Sequence, residues 1–368
     1  MRIFPLSIVC ALIVMCIFLA ASEAALGVEP EEVVLIEEFV AEECRPFVHS
    51  ATIAETKPGE LVAAWYGGSY EGDPDVSIFV SVNDGTGWSE PTQVDDGADL
   101  ACWNPVLFQP SEGPLLLYYK IGYNWKDWKG YVRTSSDGGR TWSERIRLPL
   151  IDDPYLSSYG GGFVGPIKNK PLELTGGTLL CGSSTEDDGW QVHLERTRGD
   201  YVTDFELIGP ISPRETEVIQ PTFLVLSSDY ESLRIICRHH SGDRPKTSRS
   251  DDGGATWGPW EDLALSNVST AGLDAVTLKN GMHLLAYSRG FKRRFLALAV
   301  SIDGETWIEA LPRLDSKLLL KMDYPSIIQT SDGMVHLVYS WAGHSRIKHM
   351  VIDPDALADG LGLEIPDR

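Results

Sequence analysis

Short apolar runs recur along the chain, and none has the length or the 3.6-residue period of a surface helix. LVAAWYG (61–67), VSIFVSV (76–82), GPLLLYYKIG (113–122), GTLLCGSS (177–184), LRIICRHH (233–240), MHLLAYS (282–288), FLALAVS (295–301) and MVHLVYSW (334–341) are rich in leucine, β-branched and aromatic residues. Clusters of Gly, Pro, Asp and Ser separate them. Runs of this length bounded by turn formers predict β-strands joined by tight turns. The chain after its N-terminal leader is therefore expected to be all-β.

The polar segments repeat as well. SVNDGTGW (81–88), SSDGGRTWSE (135–144), SDDGGATW (250–257) and SIDGETW (301–307) each follow a strand-like run. Asp and Asn fold back onto nearby backbone amides, Gly supplies positive φ, and Trp gives a small turn a large group to bury. The unit reads as a structural staple without chemistry. Ser81 to Ser135 spans 54 positions, Ser135 to Ser250 spans 115 and Ser250 to Ser301 spans 51, with a degraded copy, RTRGDY (196–201), inside the long gap. A unit of roughly 50 to 58 residues with several short strands is the signature of a propeller blade. The expectation is one domain over residues 25–368, a six-bladed β-propeller with Asp-box turns.

Residues 1–24, MRIFPLSIVCALIVMCIFLAASEA, carry one Arg, a long apolar run and the small-residue ending Ser22-Glu23-Ala24. This predicts a signal peptide outside the fold, a secreted or periplasmic protein, and no stable membrane insertion after cleavage, an uncleaved anchor being the alternative. Cys44, Cys102, Cys181 and Cys237 remain. Their spacing fits no metal motif, and unpaired buried thiols are expected.

The net charge of -22 excludes nucleic acid and anionic membrane as partners, since both need a basic footprint. An anionic ligand would need a local cluster of cations. Arginine suits that task because its planar fork grips a carboxylate through two hydrogen bonds. Arg140, Arg196 and Arg198 sit in staple turns, whereas Arg45 precedes an apolar strand, Arg238 ends LRIICRHH and Arg294 opens RFLALAVS. No HExxH, EF-hand loop or Gly-rich phosphate cradle is present, so neither metal nor cofactor is expected.

Four such boxes with an arginine-proline pair near the N-terminus resemble the sialidase (neuraminidase) superfamily and its bacterial BNR/Asp-box relatives, from about Val33 to Pro354. CWNPVLFQP (102–110), GPIKNKPLEL (165–174), STEDDGW (184–190), GLDAVTL (272–278) and DYPSIIQTSDGMVHLVYSW (323–341) are similar to the bacterial sialidase-like subgroup. The resemblance implies an exo-acting glycoside hydrolase that removes a terminal acidic sugar from glycans. It implies Arg45, Arg238 and Arg294 as the carboxylate clamp, Tyr324 as nucleophile, Glu217 as its polarising base and Asp75 as acid/base, with Glu71 and Asp73 as rivals. A tyrosine suits such a sugar, because a carboxylate nucleophile would be repelled by the substrate's own carboxylate.

Histidines cluster beside these positions at His49, His239 and His240. They define a second enzyme, a lyase or hydrolase of uronate-containing polysaccharides. There Arg45 and Arg238 would neutralise the uronate, and His49, His239 or Tyr324 would move protons. A third reading is a non-catalytic glycan-binding propeller whose Trp65, Trp103, Trp125, Trp128 and Trp190 stack on sugar rings.

Overall fold

The computed structural model describes residues 28–365 except 188, 243, 318 and 319, and the backbone alone at 158 and 291. The leader proposed for residues 1–24 lies outside the described residues.

Six four-stranded antiparallel sheets form the blades. Blade 1 holds β2 (Phe47–Lys57), β3 (Glu60–Gly68), β4 (Ser77–Asn83) and β5 (Thr92–Asp95), and blade 2 holds β6 (Cys102–Phe108), β7 (Leu115–Ile121), β8 (Lys129–Ser135) and β9 (Ile146–Arg147). Blade 3 is β10 (Leu172–Leu174), β11 (Thr178–Thr185), β12 (Gln191–Thr197) and β13 (Phe205–Ile208), and blade 4 is β14 (Val218–Val225), β15 (Leu233–His239), β16 (Lys246–Ser250) and β17 (Glu261–Asp262). Blade 5 is β18 (Val268–Thr277), β19 (His283–Arg289), β20 (Phe295–Ser301) and β21 (Ile308–Ser316). Blade 6 joins β22 (Asp323–Gln329), β23 (Val335–Trp341) and β24 (Arg346–Ile352) to β1 (Val34–Phe39), with Glu38 opposite His349. The N-terminal strand thus closes the ring on the C-terminal sheet, which removes an open edge.

The apolar runs fall on β3, β4, β7, β11, β15, β19, β20 and β23, all inner or middle strands packed between blades. Every residue of β7 is buried, and so is β3 after Glu60. Coverage on both faces explains why these runs are continuous rather than alternating. The four cysteines are free thiols, Cys44 half-buried and the others buried.

The staples connect the third and fourth strands of blades 1 to 5, the degraded copy included. In blade 2 the Ser135 hydroxyl accepts from Gly139 N at 2.8 Å, and Asp137 accepts from Arg140 N at 3.1 Å and Thr141 N at 2.8 Å. The same pattern recurs at Ser250 and Asp252, and at Ser301 and Asp303. Asp200 of RTRGDY keeps two such bonds, from Val202 N and Thr203 N. Blade 6 has no staple because its fourth strand is β1, supplied from the other end of the chain. In its place Glu38 accepts from His349 Nδ1 and Trp88 Nε1, both at 2.9 Å, and His349 Nε2 meets His336 Nδ1 at 3.0 Å.

Because neighbouring strands run antiparallel, first strands begin and second strands end on one face of the ring, while third strands end on the other. All the staples therefore lie on a single face, and the opposite face is left for loops and strand ends.

Candidate functional site

On that opposite face the first strands of five blades break register near their starts, between Val268 and Leu273 in blade 5 and, in the other four, between His49 and Thr52, Trp103 and Val106, Ile219 and Thr222, and Asp323 and Ser326. At each of these last four breaks one residue other than glycine takes a left-handed backbone: Ser50 (φ 54°), Asn104 (φ 35°), Gln220 (φ 57°) and Tyr324 (φ 55°). Each such residue costs about 1–3 kcal/mol and persists only where its surroundings impose it. A bulge re-aims side chains, and Asn104, Gln220 and Tyr324 all face one cavity of about 430 Å³. In three cases a proline follows, and blade 3 repeats the device with Gly165 (φ 70°) before Pro166.

Trp103, Trp125, Trp128 and Trp190 wall this cavity, Arg238, Arg293 and Lys321 bring cations, and His49, His240, His344, Glu71 and Glu186 bring further titratable groups. A larger groove of about 700 Å³ lies on the staple face. Its charges are satisfied, since Glu60 pairs with Lys57 at 2.8 Å and with Arg140 at 3.3 Å. Charges already matched within the protein recommend the smaller, cation-lined cavity as the candidate site.

Tyr324 lines it with its phenol oxygen held by two donors. Arg238 Nη1 donates to the phenol oxygen at 3.0 Å and Gln220 Nε2 at 3.4 Å. The Arg238 guanidinium stacks on Trp190 at 4.8 Å. The tyrosine ring rests on Gly272, where an added Cβ would come within 3.1 Å of its Cγ. Below it Lys168 is fully enclosed and donates to Asn169 Oδ1, Leu273 O and Pro325 O. Burial lowers the Lys168 pKa to about 7.

Asp323, the residue before Tyr324, is completely buried. Burial alone would raise its pKa, but a 2.9 Å bond from His344 Nε2 and the charge of Arg293 hold it well below the usual range. Arg293 Nη1 lies 2.9 Å from its other oxygen. His49 Nδ1 is 3.8 Å from Asp323 and 2.8 Å from Ser340 Oγ, and its ring centroid is 4.2 Å from that of Tyr324. Burial, then His344, pushes the His49 pKa far down, so its ring is neutral at neutral pH. His49, Asp323 and His344 present ligand atoms within 4.8 Å of one another. A dication there would face Arg293, which already balances the carboxylate.

Of the residues expected from sequence, Tyr324, Arg238 and His49 line the cavity together, and so does Glu71 among the rivals. His240 lines it as well, whereas Arg45, Arg294, Asp75, Asp73, Glu217 and His239 do not. Arg45 is exposed, over the Phe79 ring at 5.3 Å. Arg294 is half-buried with its Nε unpaired, and its neighbour Arg293 enters the cavity instead. Asp75 is exposed and bound by Ser69 N and Oγ, which lower its pKa, the reverse of what a proton donor needs. Glu217 is half-exposed, 3.9 Å from His240, and Asp73 and His239 also lie outside the lining. Glu71 accepts from Tyr66 Oη at 2.8 Å. Of the tryptophans, Trp65 is fully buried in the core, while the other four face the cavity. Asn104, Glu186, Gln220, Arg293, Lys321 and His344 were not anticipated. The pairs Asn104-Pro105, Gly165-Pro166, Gln220-Pro221 and Tyr324-Pro325 were a readable signal for the bulged positions.

A closed six-bladed ring with Asp-box turns is the architecture of the sialidase-like BNR propellers. The BNR repeat-like domain family matches residues 59–337, and the chain belongs to it. No curated protein matches. A Dyadobacter fermentans protein of unknown function superposes with a TM-score of 0.72 at 19% identity, covering 87% of this chain and 98% of that one. A Streptococcus pneumoniae sialidase does so with 0.68 at 10%, covering 85% and 69%, and a leech intramolecular trans-sialidase with 0.67 at 12%, covering 88% and 70%. At these identities the likeness establishes a shared fold.

Proposed function

We propose that this protein is an exo-acting glycoside hydrolase of sialidase type that removes a terminal acidic sugar from glycans, with Tyr324 as nucleophile. The observation that carries the reading is Tyr324 itself, held in a left-handed bulge with the Arg238 guanidinium on its phenol oxygen. Arg238 and Lys321 give the cavity the local positive charge that an anionic sugar needs against a net charge of -22, while Arg293 balances Asp323. The tryptophan walls suit the faces of sugar rings.

In this mechanism the substrate carboxylate sits against Arg238 and Lys321, and the phenol oxygen attacks the anomeric carbon. Arg238 places positive charge beside the oxygen that must carry negative charge during attack. Neutral His49, packed on the phenol ring, takes its proton in the role that Glu217 was expected to fill. Water then displaces the tyrosine, leaving the anomeric configuration retained. The leader read at residues 1–24 would place the enzyme outside the cytoplasm, where such glycans occur. Release of fluorophore from an umbelliferyl sialoside by the wild-type protein, lost in Tyr324→Phe, is the expected result. Full activity in the variant would remove Tyr324 as nucleophile.

One observation favours a second reading. Among the described residues the Tyr324 hydroxyl meets no carboxylate, while His49 lies against its ring. A uronate lyase needs that arrangement: Arg238 and Lys321 neutralise the carboxylate, His49 removes the C5 proton and Tyr324 protonates the leaving oxygen. Ultraviolet absorbance of an unsaturated uronate, formed by wild type and lost in His49→Ala, would establish it. Retained activity in that variant would exclude it.

A further inference from the structure

The hydrolase needs a proton donor for the leaving oxygen, and the loop expected to supply one does not provide it: Asp75 is outside the cavity, and Glu71 already accepts from Tyr66. We propose that Glu186, on the blade across the ring from Tyr324, is the general acid and base of this site. The inference rests on the hydrolase reading above.

Glu186 follows β11 and faces the same cavity as Tyr324, Arg238 and Trp190. Its backbone N–H donates to Tyr159 Oη at 2.8 Å, which ties the loop to the short 3-10 turn Pro154–Tyr159. No described residue donates to its carboxyl group. The fully buried carboxylates are treated differently: Asp323 is held by His344 and Arg293, Asp95 by Tyr119, Arg133 and Arg145, and Glu195 by Val164 N and Gly165 N. Glu186 is part-buried, and a carboxyl group withdrawn from water without donors favours its protonated form. Burial pushes the Glu186 pKa up to about 7, against the attraction of Arg238. The charged and titratable groups acting on it are Arg238 on β15 and Tyr159 on the 3-10 turn; Asp187 follows it in its own loop, Tyr155 takes a bond from the preceding Thr185, and His240 shares the cavity wall.

The step balances as follows. As Tyr324 Oη bonds to the anomeric carbon, the glycosidic C–O bond breaks, its electron pair goes to the leaving oxygen, and that oxygen takes the Glu186 proton. In the second half, water bonds to the anomeric carbon and gives a proton to the Glu186 carboxylate. The C–O bond to Tyr324 breaks, and the phenol recovers its proton from His49.

The test uses leaving groups of different basicity, because a phenol departs without help and a sugar hydroxyl does not. Glu186→Gln is expected to slow sialyllactose hydrolysis by about 100-fold or more and umbelliferyl sialoside hydrolysis by less than about tenfold. Equal losses on both substrates, or no loss on either, would overturn the proposal. Carbon-13 NMR titration of the glutamate carboxyl groups needs no turnover and separates this from failure of the hydrolase reading. A resonance titrating near neutrality and missing from Glu186→Gln supports the buried proton even if neither sialoside is cleaved. Titration of every glutamate in the ordinary carboxylate range would remove it.

Discussion

The aspartates of the turns on one face of the ring and the bulges on the other treat their polar groups differently, although Trp307 Nε1 in the blade 5 turn and Arg234 Nε beside it also lack partners. On the staple face, Asp137 accepts from Ser135, from two backbone amides and from the Thr141 hydroxyl, so each part of the turn has a partner. On the cavity face, Gln220 is 2% exposed yet its Oε1 has no partner, and neither has Arg238 Nε. Buried polar groups left unmatched are uncommon and call for an explanation. Together with four left-handed residues at the bulges, they mark the face where local stability is given up for a ligand. Propeller closure by satisfied turns on one side lets the other side carry strain and charge.

Breaking the cavity face should abolish activity while sparing stability. Tyr324→Phe has the largest expected effect, a loss of roughly thousand-fold or more in kcat with an unchanged melting temperature. Arg238→Met removes a charged donor to the substrate and is expected to raise KM by about 10- to 100-fold, read from initial rates across substrate concentration.

Acid should act on the other face, where blade 6 lacks a staple. Burial, then His349, lowers the His336 pKa to about 4, and Glu38 is lowered by its bond from His349. The folded state therefore binds fewer protons than the unfolded chain. The His336 contribution is fully present above the unfolded value of about 6.5 and is lost as pH falls towards about 4, a change of about 3 kcal/mol. Glu38 adds to the loss at lower pH still. Melting temperature measured against pH should fall through that window, and His336→Leu should flatten the slope.

Smaller changes sharpen the contrast. Gly272→Ala pushes on the Tyr324 ring and should lower kcat by roughly tenfold with little change in stability. Ser135→Ala unpairs the Gly139 amide on the staple face. It should cost about 1–3 kcal/mol in denaturant unfolding while kcat/KM stays within about twofold of wild type.

The ring was legible because the staple must satisfy its own backbone locally, so sequence and geometry stay tied, even in the degraded Asp200 copy. Blade 6 was countable by period but invisible by motif, since its outer strand comes from the other end of the chain. The site was legible only in part. Arg238 and His239 are consecutive on one strand and point to opposite faces, whereas Arg293, with φ 57°, and Arg294 lie in the turn before β20, where no strand period sorts them. Near a bulge that alternation slips by one, so a choice between neighbours cannot be made from apolar pattern. Glu186 escaped notice because its importance lies in the donors it lacks, which only the folded surroundings reveal. Arg45 and Asp75 drew attention through their motif positions, yet loop geometry turns one onto Phe79 and ties the other to Ser69.

The most direct test of the central claim is covalent trapping with a fluorinated sialosyl fluoride, read by peptide mass spectrometry. The account predicts a sugar adduct on Tyr324 that disappears in Tyr324→Phe. Fluoride release by the wild-type protein with no adduct on Tyr324, or with the adduct on another residue, would contradict it.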